Sequence, residues 1–352
     1  MKQKKNLDEI ISPEELNSAS ELARRLLQQL DTILLGRPEL HRMVLVGILS
    51  QGHILLEGVP GTGKTALVKA LGEVMNLEFK RVQFTPDLMP TDILGTHILQ
   101  QKQDGKREMT FEAGPVFTNI LLADEINRAS PKTQSALLEA MQERSVTLLG
   151  QTRSLPHPFF VLASQNPIEL EGTYPLPEAQ LDRFLFKLKV EAANVPVMND
   201  IITSRRRGQP PKPNWTIGAK QLDTLFTVMD RIILPKPVSQ YICRLVGATH
   251  PRNSESTEMI NDYISYGASP RAAIAIAEAA RGYALISSRP TVGFEDVKAV
   301  APGVLNHRLI LNYKARFDQV DSFKIIDNLI TALDETGVDL PSEIEITEST
   351  NA

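Results

Sequence analysis

An α/β fold with a parallel five-stranded sheet, followed by a separate helical domain, is predicted by three observations. Five short apolar runs, at residues 53–57, 79–84, 120–124, 159–164 and 186–190, alternate with helix-patterned segments. That alternation calls for right-handed crossovers and a sheet covered on both faces. The first run opens directly into a glycine-rich turn and then a helix. From residue 220 to about 333 the texture is helical only, with stretches at 222–234, 238–248, 270–286, 294–311 and 321–333 and no strand pattern. A chain of 352 residues with 42% apolar residues suits two domains with real cores. The expected division is 1–195 for an N-terminal helix and the α/β unit, 196–215 for a linker, 216–335 for the helical unit, and 336–352 for a disordered acidic tail.

Each element has a local reason. Ser12-Pro13-Glu14-Glu15 is a helix start with a capping box, and Leu16, Ala19, Ala23, Leu26 and Leu30 keep an apolar face behind it. Residues 53–57 read as a buried strand. Gly58-Val59-Pro60-Gly61-Thr62-Gly63-Lys64-Thr65 follows, and Ala66 continues with helical spacing. Glycines let such a backbone curl so that successive N–H groups point at phosphate oxygens, and the helix N-terminus adds positive potential. Lys64 would reach the β- and γ-phosphates and the Thr65 hydroxyl would hold Mg²⁺. The segment from Gly58 to Ala66 is therefore read as a nucleoside triphosphate site with Mg²⁺.

The apolar run Ile120-Leu121-Leu122-Ala123 ends in Asp124-Glu125. Phosphoryl transfer needs charge neutralisation and an oriented nucleophile more than covalent help. Asp124 suits the metal shell, and Glu125, pointing the other way, suits polarisation of the attacking water. Together with the phosphate loop this predicts hydrolysis as well as binding.

Two segments break the strand–helix rhythm. Residues 97–101 and 108–111 flank Asp104-Gly105, a two-residue hairpin signal. Residues 146–149 and 152–155 flank Gly150-Gln151, which predicts a type II′ turn. Further on, Ser204-Arg205-Arg206-Arg207-Gly208-Gln209-Pro210-Pro211-Lys212-Pro213 is polar and proline-broken, as an interdomain connection would be.

Four blocks carry a more specific signal: Leu-Leu-Ala-Asp-Glu-Ile-Asn-Arg-Ala at 121–129, Gln-Ser-Ala-Leu-Leu-Glu-Ala-Met-Gln-Glu at 134–143, Gly-Thr-Tyr-Pro-Leu-Pro-Glu-Ala-Gln-Leu-Asp-Arg-Phe at 172–184, and Gly-Ala-Ser-Pro-Arg at 267–271. With them the chain, from about residue 35 to about 309, resembles the MoxR family of AAA+ ATPases, of the helix-2-insert group. The resemblance implies a P-loop core with a helical lid, both hairpins as projecting inserts (the first toward a central pore), and Gly36-Arg37 beside the nucleotide base. It implies that Asn166 is the amide that orients the lytic water, that Arg183 is an arginine finger offered to a neighbouring subunit, and that Arg271 reports the γ-phosphate to the lid. By residue type alone, Asn166 before Pro167 is also a turn former, Arg183 a surface ion-pair residue and Arg271 a helix-start residue. Asn127 and Arg128 are candidates for a relay across the subunit boundary. Also implied are a homo-oligomeric, hexameric ring, a von Willebrand factor A domain partner, and a chaperone role in metal insertion or complex assembly on a client protein.

Composition narrows the alternatives. The net charge of −4 carries no global basic field, so nucleic acid is not an expected partner and a DNA-associated motor is disfavoured. A magnesium-chelatase-like motor subunit, sharing inserts and A-domain partner, stays open. The single cysteine, Cys243, excludes an internal disulfide and suits a reducing compartment. Lysines at 2, 4 and 5 precede no apolar stretch, and no run reaches the ~20 apolar residues of a membrane span. A cytoplasmic location is the expectation. The six histidines lack metal-ligand spacing and read as structural or surface residues.

Overall fold

The computed structural model describes residues 11–101, 107–167, 172–205 and 209–335. The chain opens with α1 (Pro13–Ile33) and α2 (Pro38–Leu49), then β1 (Ile54–Glu57), α3 (Lys64–Met75), β2 (Phe79–Gln83) and the short α4 (Pro90–Leu94). The first hairpin, β3 (Gly95–Gln101) and β4 (Arg107–Ala113), leads to β5 (Ile120–Asp124) and α5 (Pro131–Glu143). The second, β6 (Ser145–Leu148) and β7 (Gln151–Ser154), precedes β8 (Phe160–Gln165), α6 (Glu178–Leu181) and β9 (Phe186–Lys189). Ser12 caps α1 as its capping box predicts: Glu15 N–H donates to Ser12 Oγ (3.2 Å) and Ser12 N–H to Glu15 Oε2 (3.1 Å).

The five predicted strands form one parallel sheet in the order β2-β5-β8-β1-β9. Alternate residues bury on opposite faces. Ile54, Leu56, Ile120, Leu122, Phe160 and Leu162 join the core under α1, α2 and α3. Leu55, Leu121, Ala123, Val161 and Ala163 join the core under α5. Both faces are dry, which is why these strands read as continuous apolar runs. β5, β8 and β1 are neighbours, so Asp124, Asn166 and the phosphate loop meet at one carboxyl edge.

Both hairpins form as separate two-stranded sheets. The Asp104-Gly105 turn lies outside the described residues. In the second hairpin Leu148 pairs with Gln151, so the turn residues are Leu149 and Gly150, at φ +48° and +75°. Two positive φ values make a type I′ turn, correcting the type II′ expectation by one residue of register.

Beyond β9 come α7 (Val195–Ser204), α8 (Ala219–Asp230), α9 (Lys236–Ala248), α10 (Glu258–Tyr263), β10 (Ile264–Tyr266), α11 (Pro270–Ile286) and α12 (Phe294–Leu305), then β11 (Ile310–Leu311), α13 (Tyr313–Phe317) and α14 (Ser322–Ala332). Two readings change. The stretch taken as linker begins as a helix, because Asn194 Oδ1 caps Val197 N–H (3.0 Å) with Pro196 in the first turn. The helical domain also holds an antiparallel pair, β10 with β11, whose strands of three and two residues are too short to show a period. Arg206, Arg207, Gly208 and the acidic tail lie outside the described residues. Buried side chains of α8, α9, α11, α12 and α14 continue the core of the sheet's first face. Among the described residues, no helix is long and apolar enough to cross a membrane.

Candidate active site

The phosphate loop curls as its glycines predict: Gly61 and Gly63 sit at φ +82° and +85°, and Gly63 is the N-cap of α3. Gly58 is needed for a different reason, since a Cβ there would lie 2.5 Å from the Val190 carbonyl oxygen. Lys64 is buried, and its ammonium donates to the carbonyls of Gly58 and Val59, the latter at 3.1 Å. Burial lowers its pKa, while the charges of Asp124 and Glu125 work the other way. Thr65 and Ala66 form the first turn of α3. Arg37 donates to the Thr62 carbonyl, so the loop is braced from α2 as well.

Asp124 ends β5 and is buried; Ser164 Oγ donates to its Oδ1. Ser164 also accepts from Glu125 N–H (2.9 Å), joining the two acids through one hydroxyl on β8. Glu125 lies in the left-handed region (φ +56°, ψ +50°), a costly conformation for a non-glycine residue. Its carboxylate accepts from Gln83 Nε2 (2.8 Å) and Arg128 Nη1 (3.0 Å). Arg128, a candidate for an intersubunit relay, thus pairs with Glu125 of its own chain. Arg81 donates through Nε (3.1 Å) and Nη2 (2.7 Å) to Asp124 Oδ2. Gln134, buried on α5, donates to the carbonyls of Ile126, Ala129 and Tyr174 and pins the turn that carries Asn127 and Arg128. The Thr65 hydroxyl and the Asp124 carboxylate are the hard oxygen donors that Mg²⁺ takes, and a buried acid facing the phosphate loop fits that ion.

Asn166 is buried one residue beyond β8, where Gly58 N–H donates to the Gln165 carbonyl (3.2 Å). The predicted set from Gly58 to Ala66, with Asp124, Glu125 and Asn166, is therefore gathered at one edge. Arg183 and Arg271 are not part of that gathering. Arg183 Nη1 donates to the Leu138 carbonyl on α5 (3.0 Å), beside a second cavity of about 330 Å³ lined by Ser135, Glu139 and Gln142. Arg271 opens α11 with its side chain 62% exposed, 3.8 Å from Asp182 Oδ2. Asp182 also takes Arg308 Nε (2.7 Å), a buried partner that sequence reading missed.

A cavity of about 480 Å³ opens beside the phosphate loop, bounded by Val59 and Gly61 on one side and by Leu34, His41, Met198 and Ile201 on the other. Gly36, at φ +84°, lets α7 close this wall, since a Cβ there would meet Val197 Cγ2 at 2.3 Å. The buried His41 pairs its Nδ1 with Asp31 (2.6 Å) at the same wall. The place and shape suit a nucleotide base.

Comparison with known proteins agrees with this geometry. Residues 53–186 match the model of the ATPase family associated with various cellular activities (AAA), and residues 256–329 match the AAA lid domain. Chaperone MoxR1 of Mycobacterium tuberculosis is 44% identical over 306 residues, covering 87% of this chain and 80% of that one. The chain belongs to the MoxR family of AAA+ ATPases. A second MoxR relative, protein MoxR of Methylorubrum extorquens, is 30% identical over 332 residues, covering 89% and 94% of the two chains. A crystal structure of a candidate ATPase from Cytophaga hutchinsonii superposes with a TM-score of 0.81 at 39% identity, covering 91% and 97%. The MoxR assignment accounts for the P-loop core, the lid and both inserts on one chain.

Proposed function

We propose that this MoxR-family chain hydrolyses ATP with Mg²⁺ and uses the cycle, as a hexameric ring, to remodel client protein complexes, helping to insert a metal or cofactor. The observation that carries the reading is the buried Lys64 on the phosphate loop, at the same sheet edge as the buried Asp124 and a strained Glu125 beside it. The phosphate loop would hold the triphosphate, with Lys64 moving from loop carbonyls to phosphate oxygens. Thr65 and Asp124 would hold Mg²⁺, which neutralises phosphate charge. Glu125 would take the proton of the attacking water, with Asn166 orienting that water.

Ring action is supported by Arg183, whose contacts lie on α5 instead of its own phosphate loop, and whose buried Nε has no partner among the described residues. Client contact is supported by the first hairpin, where Leu99 and Met109 pair directly across the strands and are 58% and 56% exposed. A von Willebrand factor A domain partner and a cytoplasmic setting complete the proposal. The test is Glu125→Gln: steady-state phosphate release should fall by about 10²–10⁴ while ATP binding persists. Unchanged turnover would remove Glu125 from its role as base.

A further inference from the structure

β2 is the edge strand beside β5, and its end places two polar side chains on one face: Arg81 and Gln83 are exposed, with Val82 buried between them. Arg81 reaches Asp124 at the end of β5, and Gln83 reaches Glu125 just beyond it. Arg81 grips Asp124 Oδ2 through two N–H groups and donates a third bond, from Nη2, to Gln83 Oε1 (2.8 Å). Ser164 holds the other oxygen, Oδ1. Both oxygens of Asp124 are thus occupied by donors of this chain.

The two donors differ in how readily they can leave. Ser164 is fully buried on a central strand and is tied to Glu125 N–H, so it stays. The Arg81 side chain is 47% exposed on an edge strand, and water can replace its bonds at little cost. A guanidinium on Oδ2 and a divalent cation served by the same carboxylate repel each other at close range.

We propose that Arg81 is a positioning residue that acts as a displaceable counterion. It neutralises Asp124 and holds its carboxylate in place before metal arrives, then yields Oδ2 when the metal–nucleotide complex binds. Arg81 therefore sets the metal concentration at which the site responds, without contacting the metal. The inference rests on the reading of Asp124 as the metal-serving acid.

The test uses the full chain and a fluorescent, slowly hydrolysed ATP analogue. Its affinity is followed first without metal and then with increasing MgCl₂. Arg81→Ala should bind the metal-free analogue about two- to five-fold more weakly than the parent, because the Asp124 charge is then no longer neutralised beside the triphosphate. Its Mg²⁺ midpoint should fall by about two- to five-fold, because the competitor is gone. Arg81→Lys, which keeps one charge without the bidentate grip, should lie between the two. Should Arg81→Ala lose metal-free binding through misfolding, Arg81→Gln carries the same expectation. A midpoint unchanged or raised in the folded neutral variants, while Asp124→Asn shifts the metal dependence, would overturn the role of Arg81 alone. An unshifted midpoint in Asp124→Asn would overturn the reading of Asp124, and this proposal with it.

Discussion

Arg308, just beyond α12 of the lid, donates Nε to Asp182 Oδ1 at 2.7 Å, and Asp182 is the residue immediately before Arg183. The guanidinium also donates to the carbonyls of Asp182, Phe184, Leu185 and Val304, so one buried lid residue clamps the chain that enters β9. The same Asp182 receives Ser269 Oγ and lies near Arg271 at the start of α11. Lid and core therefore meet on one carboxylate, between the two arginines expected to read the nucleotide.

Removing that carboxylate should cost stability. In Asp182→Ala the Arg308 side chain, 4% exposed, loses its counterion and is left as an uncompensated buried charge. A loss of about 3 kcal/mol in urea unfolding is expected. Arg271→Ala, at a side chain 62% exposed, should change stability by less than about 0.5 kcal/mol. Equal effects from the two variants would show that Asp182 does not anchor Arg308.

Lys64→Ala should abolish ATP binding in calorimetry. The phosphates would lose their close cation, and the Gly58 and Val59 carbonyls would lose the ammonium that now holds the loop. Affinity within a few-fold of the parent would mean that this loop does not hold phosphate.

Buried histidines give the fold an acid limit. His53 accepts from Val161 N–H at Nδ1 (3.0 Å) and makes its Nε2 bond to the Met141 carbonyl (3.2 Å), so it is held neutral. Burial brings its pKa down to about 4, and burial likewise lowers His307 well below its usual value. The unfolded chain takes up these protons near pH 6.5, so the stability they contribute is full above that pH and is lost as pH falls toward the folded values. Each can contribute a slope of up to about 1.4 kcal/mol per pH unit inside that window. Urea midpoints at pH 7.5 and 5.5 should differ accordingly, and equal midpoints would contradict the assignment.

The parts legible in the sequence are those specified locally. Strands buried on both faces, the glycine turn before Lys64 and the acids closing β5 each follow from neighbouring residues. What was not legible depends on distant pairing. Arg81 and Gln83 matter only because β2 lies beside β5, and alternation around Val82 was the one available hint. Arg308 reaches a partner 126 positions away, a pairing that no periodicity encodes. The helix α7 hid inside a proline-marked stretch, although Asn194 before Val195-Pro196 is an N-cap signal in its own right. The second turn slipped by one residue because Leu149 accepts a positive φ that glycine or asparagine would ordinarily take.

In the proposed ring, Arg183 of one subunit would complete the site of its neighbour. Arg183 contacts α5 of its own chain, and a trans-supplied arginine can contribute about 10³–10⁵ in rate. The most direct measurement mixes Arg183→Ala and Glu125→Gln subunits, each nearly inactive alone, and follows phosphate release. A mixed ring contains junctions where an intact Glu125 meets an intact Arg183, so activity should partly return, and hydrolysis per parent subunit should rise with protein concentration. No return of activity in rings shown to contain both variants would place Arg183 in its own subunit's site, or outside catalysis altogether.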